Sequence, residues 1–237
     1  MINHGLTPQE IFFYRFLIAY IGIWAISPKH LFADNLKDEL WLVAGGVFGG
    51  SLYFFTENTA LGITQASNVA FIICTAPLLT TILSLLFYKS EKATKGLIYG
   101  SLLALIGVGL VVFNGSVVLK LSPVGDLLTL LAALSWAFYS LVIKRMTGRY
   151  PTVFITRKIF FYGVLTILPA FLLHPLQPDF DVLLQPLVLS NLLFLAVLAS
   201  LICYILWNVV LKQLGTMRAS NYIYLNPLVT MVVSVLI

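Results

Sequence analysis

Glu57 stands in Tyr53-Phe54-Phe55-Thr56-Glu57-Asn58-Thr59-Ala60, inside an apolar run that extends from residue 40 to residue 61. A carboxylate in such a place can carry a proton or hold the ammonium group of a bound solute. A charge at bilayer depth costs about 2.5–3.5 kcal/mol on insertion scales, so an acid there is a functional candidate by default. The competing reading is that Glu57, one turn from the end of its run, extends to the polar surface. Asn58 beside it can meet a solute or a neighbouring helix. Arg15 lies about two turns into the run 10–27, and Arg157 holds the matching place in the run 153–173. Two such guanidinium groups, one near each mouth of a cavity, would suit a carboxylate or phosphate, because the planar fork grips those groups through two hydrogen bonds. Arg157 with Lys158 also reads as the ordinary basic flank of a membrane helix.

Other candidates are less specific. Asn68 and Asn221 follow short polar breaks, where a helix N-terminus offers free N–H groups to an anion. Each also reads as a simple N-cap, and Asp126 reads the same way. Pro77 and Pro227 lie inside apolar runs and are expected to kink their helices, as hinges or as static bends. Trp136, Phe138, Tyr139, Tyr53, Tyr204 and Trp207 could wall a cavity for apolar or cationic solutes, or face lipid. Gly45, Gly46, Gly49 and Gly50, and again Gly96 and Gly100, have the spacing of close helix packing. Cys74 and Cys203 sit in mid-run and read as small core residues.

These residues must be placed by helices in a membrane. The chain of 237 residues is 60% hydrophobic and 10% charged, with mean hydropathy +0.99. Soluble domains carry about 25% charge, and a soluble fold of this size cannot hide so much apolar surface. Eight apolar runs lie at 10–27, 40–61, 67–88, 96–113, 126–143, 153–173, 188–211 and 219–237. Of 14 basic residues, 12 fall between the first and second runs, the third and fourth, the fifth and sixth, and the seventh and eighth, or at the edges of those runs. Lys120 and Arg15 are the others. This asymmetry places those four links in the cytoplasm and both chain ends outside. The net charge of +5 is spread among apolar runs, which excludes a nucleic-acid patch.

The chain also repeats itself. Gly62-Ile63-Thr64-Gln65-Ala66-Ser67-Asn68 is echoed by Gly215-Thr216-Met217-Arg218-Ala219-Ser220-Asn221. The first three runs align with the sixth to eighth: Pro8 and Arg15 with Pro151 and Arg157, then the break, then Pro77 with Pro227. Matched runs cross in opposite directions, the mark of an inverted repeat. The expected fold is all-α: a polytopic membrane bundle in two halves, residues 1–114 and 115–237. Eight helices would be present of five plus five. The first and last helices are expected to be missing, as in a fragment; a genuine eight-helix protein is the alternative.

Several motifs resemble the EamA-like branch of the drug/metabolite transporter superfamily. They are Pro8…Arg15-Phe16, Ala66-Ser67…Pro77, Ser90-Glu91-Lys92…Gly96…Gly100…Gly107, Gly125-Asp126-Leu127-Leu128…Ala132-Ala133-Leu134-Ser135-Trp136-Ala137, and Ala219-Ser220…Pro227. The resemblance implies ten helices in two inverted repeats, a central cavity, and export of small metabolites such as amino acids.

Competing classes fit less well. His4, His30 and His174 lie in loops, so an intramembrane Ser-His dyad has no base. Glu57 is the one acid well inside a span, Glu10 and Asp126 standing at the very start of theirs, which leaves no paired acids. Neither a phosphate-binding loop nor a metal-ligand cluster is visible, and no cofactor is expected. The reading is therefore a secondary transporter rather than an enzyme. It would sit multi-pass in a bacterial inner membrane and move a small organic metabolite, alone or as a homodimer, with the lipid bilayer as its other partner. A non-transporting scaffold or inactive fragment is the second reading, and a lipid scramblase or channel the third.

Overall fold

The computed structural model describes residues 6–27, 31–88, 94–113, 122–172, 175–176, 180–227 and 229. The three histidines, Lys29, Lys89, Ser90, Glu91, Lys92, Lys120 and the closing run from Met231 lie outside the described residues.

Helix α1 (Pro8–Ile26) opens with a reciprocal cap, the Thr7 side chain receiving the Glu10 N–H while the Glu10 carboxylate receives the Thr7 N–H at 2.9 Å. Pro8 sits in the first turn, where its missing N–H costs nothing. The second run forms α2 (Leu36–Gly46) and α3 (Leu52–Ile63), joined through a π-helical turn at Val47–Ser51. The third forms α4 (Ala66–Ile73) and α5 (Ala76–Phe87). Then come α6 (Lys95–Phe113), α7 (Pro123–Thr147), and α8 (Thr152–Ile167), which tightens to a 3-10 turn at Leu168–Leu172. After the short α9 (Phe180–Leu183), α10 (Pro186–Leu193) and α11 (Cys203–Leu214) are joined by a longer π-helical stretch at Phe194–Ile202. Finally α12 (Thr216–Ser220) runs into a 3-10 turn at Asn221–Leu225.

Among the described residues, five stretches are long and apolar enough to cross a membrane: Pro8–Ile26, Ala66–Phe87, Pro123–Thr147, Thr152–Leu172 and Pro186–Leu214. The main core joins four of them, while Ala66–Phe87 packs through two smaller clusters around Cys74 and Ala76. Phe12, Phe16 and Ile23 of α1 meet Leu42 of α2, Tyr139 and Ile143 of α7, Phe160 of α8 and Tyr204 of α11. Leu86, Leu103 and Leu110 face outward, exposed, which is the ordinary surface of a helix in hydrocarbon. The protein is an all-α membrane helix bundle.

Glycines bring α2 and α3 against α7 and α8. A Cβ on Gly46 would lie 2.5 Å from the Tyr162 Cβ, and one on Gly49 would lie 2.3 Å from the Tyr139 ring. The packing expected of Gly96 and Gly100 is not found among the described residues, where nothing lies within 4 Å of a Cβ placed on either. Cys203 is exposed rather than in the core.

The caps also differ from expectation. Gln65 precedes α4 and Gly215 precedes α12, so Asn68 and Asn221 are not N-caps. Asn68 is buried within the first turn of α4, and Asn221 follows α12 and accepts from the Ser101 hydroxyl at 3.2 Å. Ser122 caps α7, and Asp126 reaches back to the Ser122 N–H at 3.2 Å. Pro77 does not bend a helix interior: the helix has already broken at Cys74–Thr75, and Pro77 stands in the first turn of α5. Pro227 follows the 3-10 turn with Asn226 between them.

Candidate functional site

Both π-helical stretches lie where charge and aromatic rings converge. A π turn widens the helix and loosens its backbone hydrogen-bond register, and in a membrane each freed carbonyl needs another partner. Side chains supply it. The Ser135 hydroxyl of α7 donates to the Phe48 carbonyl at 2.9 Å, and the Tyr204 hydroxyl of α11 donates to the Gly49 carbonyl at 2.5 Å. The stretch between α10 and α11 contributes Ser200, fully buried, whose hydroxyl accepts from Arg15 Nε at 2.9 Å.

Arg15 is held twice, by Ser200 and by the face of Phe54, whose ring centroid lies 4.6 Å from the guanidinium carbon. Neither contact neutralises its charge. Glu57 does not extend to the surface alone; it accepts from the Tyr53 hydroxyl, one helical turn away, at 3.0 Å. Arg15 lies within electrostatic reach of Glu57. Yet no ion pair joins Arg15 to Glu57 among the described residues. Within that reach, the two groups are held by different neutral partners.

Aromatic rings wall that region. Trp136 is the hub, with centroids 5.1 Å from Tyr53, 5.1 Å from Tyr139, 6.1 Å from Tyr204 and 5.9 Å from Trp207. Of the aromatic candidates these five come together, whereas Phe138 packs with Phe48 and Phe87 instead. A cavity of about 380 Å³ opens beside them, with Tyr53, Trp136 and Trp207 in its wall. Asn58 belongs elsewhere, in a narrow cleft with Phe12 and Ile167. Asn68, Asn221 and the two prolines are not in the cavity wall.

Arg157 departs from its expected place at a mouth of the cavity and from the alternative of an exposed anchor. It is 2% exposed and donates to the Ser27 carbonyl at the end of α1, where a cation offsets the negative end of the helix. Lys158 is buried too, in an ion pair with Glu39 of α2, and Tyr162 donates to the same carboxylate. Glu39, partly buried, is an acid that the sequence leaves outside the runs. Nearby, Asp38 takes Arg149 at 2.8 Å and the Tyr150 hydroxyl at 3.1 Å. Burial pushes the Asp38 carboxyl up, but hydrogen bonds from Arg149, Asn35 and Tyr150 outweigh it and hold the group below its ordinary value. Asp38 lies just ahead of the apolar stretch 40–61. The basic end of the bundle is cross-tied by these contacts.

Sequence reasoning also missed Asn208. It is fully buried, accepting from Tyr139 at 2.7 Å and donating to Thr156 at 2.9 Å, so α7, α8 and α11 share one polar thread. Among the described residues, no three His, Cys, Asp or Glu side chains converge to hold a metal.

Apolar helices around an aromatic-walled cavity, with Arg15 and Glu57 on the helices beside it, fit a multi-pass membrane protein of the solute-transporter kind. The EamA-like transporter family matches residues 1–113 and again 123–237, and the chain belongs to that family. An uncharacterized transporter of Archaeoglobus fulgidus is 27% identical, over 95% of this chain and 78% of its own. The uncharacterized transporter YyaM of Bacillus subtilis is 29% identical, over 80% of this chain and 61% of its own. A probable amino-acid metabolite efflux pump of Salmonella typhimurium is 26% identical, over 95% of this chain and 76% of its own. A solved crystal structure superposes with a TM-score of 0.76, covering 98% of this chain and 79% of that one at 18% identity. That last likeness speaks for the fold alone.

Proposed function

We propose that the protein is a secondary transporter that exports small zwitterionic metabolites, amino acids above all, across a bacterial inner membrane. The observation that carries this reading is the pairing of Arg15 and Glu57 with different neutral partners, Ser200 and Phe54 for one and Tyr53 for the other, with no ion pair between them among the described residues. An amino acid brings the complementary charges. Its carboxylate suits the guanidinium, and its ammonium suits Glu57 among ring faces that favour cations. The similarity to a probable amino-acid metabolite efflux pump supports the same class. Alternating access about the repeat axis is the mechanism we favour, in which the cross-ties at the basic end, Lys158 to Glu39 and Arg149 to Asp38, would break and re-form.

The test is a flux assay in proteoliposomes with three solute sets: amino acids, amines without a carboxylate, and carboxylates without an amine. Saturable flux confined to amino acids is expected. Flux of all three sets at similar rates would point to a channel, and flux no faster than in empty liposomes would sink the transporter reading.

A further inference from the structure

Helices α5 and α12 meet along a seam of small hydroxyl residues. Ser84 of α5 and Thr216 of α12 share a hydrogen bond at 3.1 Å, and both are fully buried. Two turns along, Ala76 of α5 and Ile223, just past α12, belong to one apolar cluster and stand in the wall of the cavity beside Trp136. Numbers fall along α5 while they rise along α12, so the two segments run antiparallel. Thr80 and Ser220 therefore occupy the rung between these contacts, each one turn from a member of the bonded pair. Both are fully buried, and neither hydroxyl has a hydrogen-bond partner in the protein. Other helical hydroxyls here do better: Thr56, Thr81, Thr129 and Thr156 each donate to the carbonyl one turn back. A buried hydroxyl left unmet raises the free energy of the state that buries it. Breaks also flank both segments. Helix α5 starts after the break at Cys74–Thr75, and α12 starts at Gly215, whose φ is 79°, and runs into a 3-10 turn.

We infer that the α5–α12 seam is the gate between the cavity and the basic end of the bundle, latched by Ser84 and Thr216 and biased toward opening by Thr80 and Ser220. The seam lies on that route. Lys212 stands in the last turn of α11 just before it, and Arg218 on α12, whereas the cavity begins at Ala76 and Ile223. Closed, the gate makes one hydrogen bond at the first rung and leaves two hydroxyls unmet at the next. Opening admits water, which gives all four hydroxyls partners. The closed and open states are thereby brought close in free energy, and a carrier that must visit both needs them close. The inference goes beyond the solute reading above: the gate holds whatever the protein carries.

Thiol labelling reads the opening directly. In a protein with Cys74→Ala and Cys203→Ala, Ala76→Cys marks the cavity side of the seam. A membrane-impermeant maleimide offered from the basic side of oriented vesicles reaches that thiol only through an open gate. Thr80→Val and Ser220→Ala each remove an unmet hydroxyl and nearly keep the shape. Each should slow labelling about tenfold, the shift that one unmet buried group supplies, and raise the melting midpoint in detergent. Ser84→Ala, which breaks the latch, should speed labelling about fivefold. Thr81→Val is the control, because the Thr81 hydroxyl is met by the Pro77 carbonyl; its labelling should match the parent. Greater stability together with slower opening is the signature that simple packing would not give. Unchanged labelling in Thr80→Val and Ser220→Ala, as when trapped water already meets the hydroxyls, overturns the inference. So does a lowered midpoint in both, or a parent protein that never labels from the basic side; amino-acid flux in the wild type would then leave the solute reading standing. If labelling responds as expected and no amino acid is carried, the gate stands and the solute reading falls alone. Should Ala76→Cys fail to fold, Ile223→Cys marks the opposite wall.

Discussion

The hydroxyl of Tyr204 donates to the carbonyl of Gly49 at 2.5 Å, tying α11 to the π turn between α2 and α3. That carbonyl belongs to a loosened stretch of backbone in a membrane, so its partner has to come from a side chain. Tyr204→Phe keeps the ring and removes the donor. We expect a loss of about 1–3 kcal/mol, the cost of a buried acceptor left unmet, read as a lowered unfolding midpoint in detergent.

The same turn is filled by an absence of side chain. Gly49→Ala would drive a Cβ to 2.3 Å from the Tyr139 ring. Overpacking of this kind costs about 1–3 kcal/mol. Gly100→Ala, where nothing lies within 4 Å, is expected to be neutral or to stabilise by up to about 1 kcal/mol, since alanine is the better helix former. Parallel melting curves separate the two; equal losses would contradict the packing described for α2 and α3.

Glu57→Gln removes a charge but keeps the shape and the hydrogen-bond acceptor for Tyr53. Arg15→Gln does the equivalent on the other side. Hydrogen bonds to charged groups contribute about 1.5–3 kcal/mol, so each variant should weaken the apparent affinity for amino acids by about tenfold to a hundredfold. Arg15→Lys should recover only part of the loss, because an ammonium lacks the planar fork. Unaltered flux for Glu57→Gln at every pH would remove Glu57 from the mechanism.

Asp38 gives a pH signature at the basic end. Its carboxyl is held below the ordinary value because the gain from Arg149, Asn35 and Tyr150 exceeds the cost of burial. A depressed folded value stabilises the native state above the unfolded value, near pH 4. The contribution is lost as pH falls through the folded value. Stability from this group should therefore be flat from neutrality down to about pH 4 and decline below that. Asp38→Asn should be less stable at neutral pH and show a shallower acid limb in the melting midpoint.

Much of this was legible from residue type alone. Arg15 and Glu57 stood out because a charge in an apolar run has to be accounted for, and the aromatic residues that meet at Trp136 were among those singled out. What stayed hidden depends on backbone register. The π turns at Val47–Ser51 and Phe194–Ile202 insert a residue without changing the apolar pattern, so no side-chain period reveals them; Ser200 and the Gly49 carbonyl stay hidden with them. Lys158 was misread for a different reason: beside Arg157 it looks like a surface anchor, and only the approach of α2 turns it into a buried partner of Glu39. For Asn68 and Asn221 the cap is the reading, set beside an anion site, that asparagine's preference suggests, but the first helical residue is set by where the chain leaves its extended conformation.

The two echoed glycines, Gly62 and Gly215, look interchangeable as letters, yet they answer to different filters. Gly215 has a φ of 79° with open space around it, so any replacement is opposed by chain conformation rather than by crowding. Gly62 lies within α3, also with nothing near it, and neither crowding nor conformation forbids another residue there. A duplication that began with equal copies has left one glycine under constraint and the other free to drift, so mutational tolerance, mapped position by position, should tell the two halves apart even where their sequences still agree.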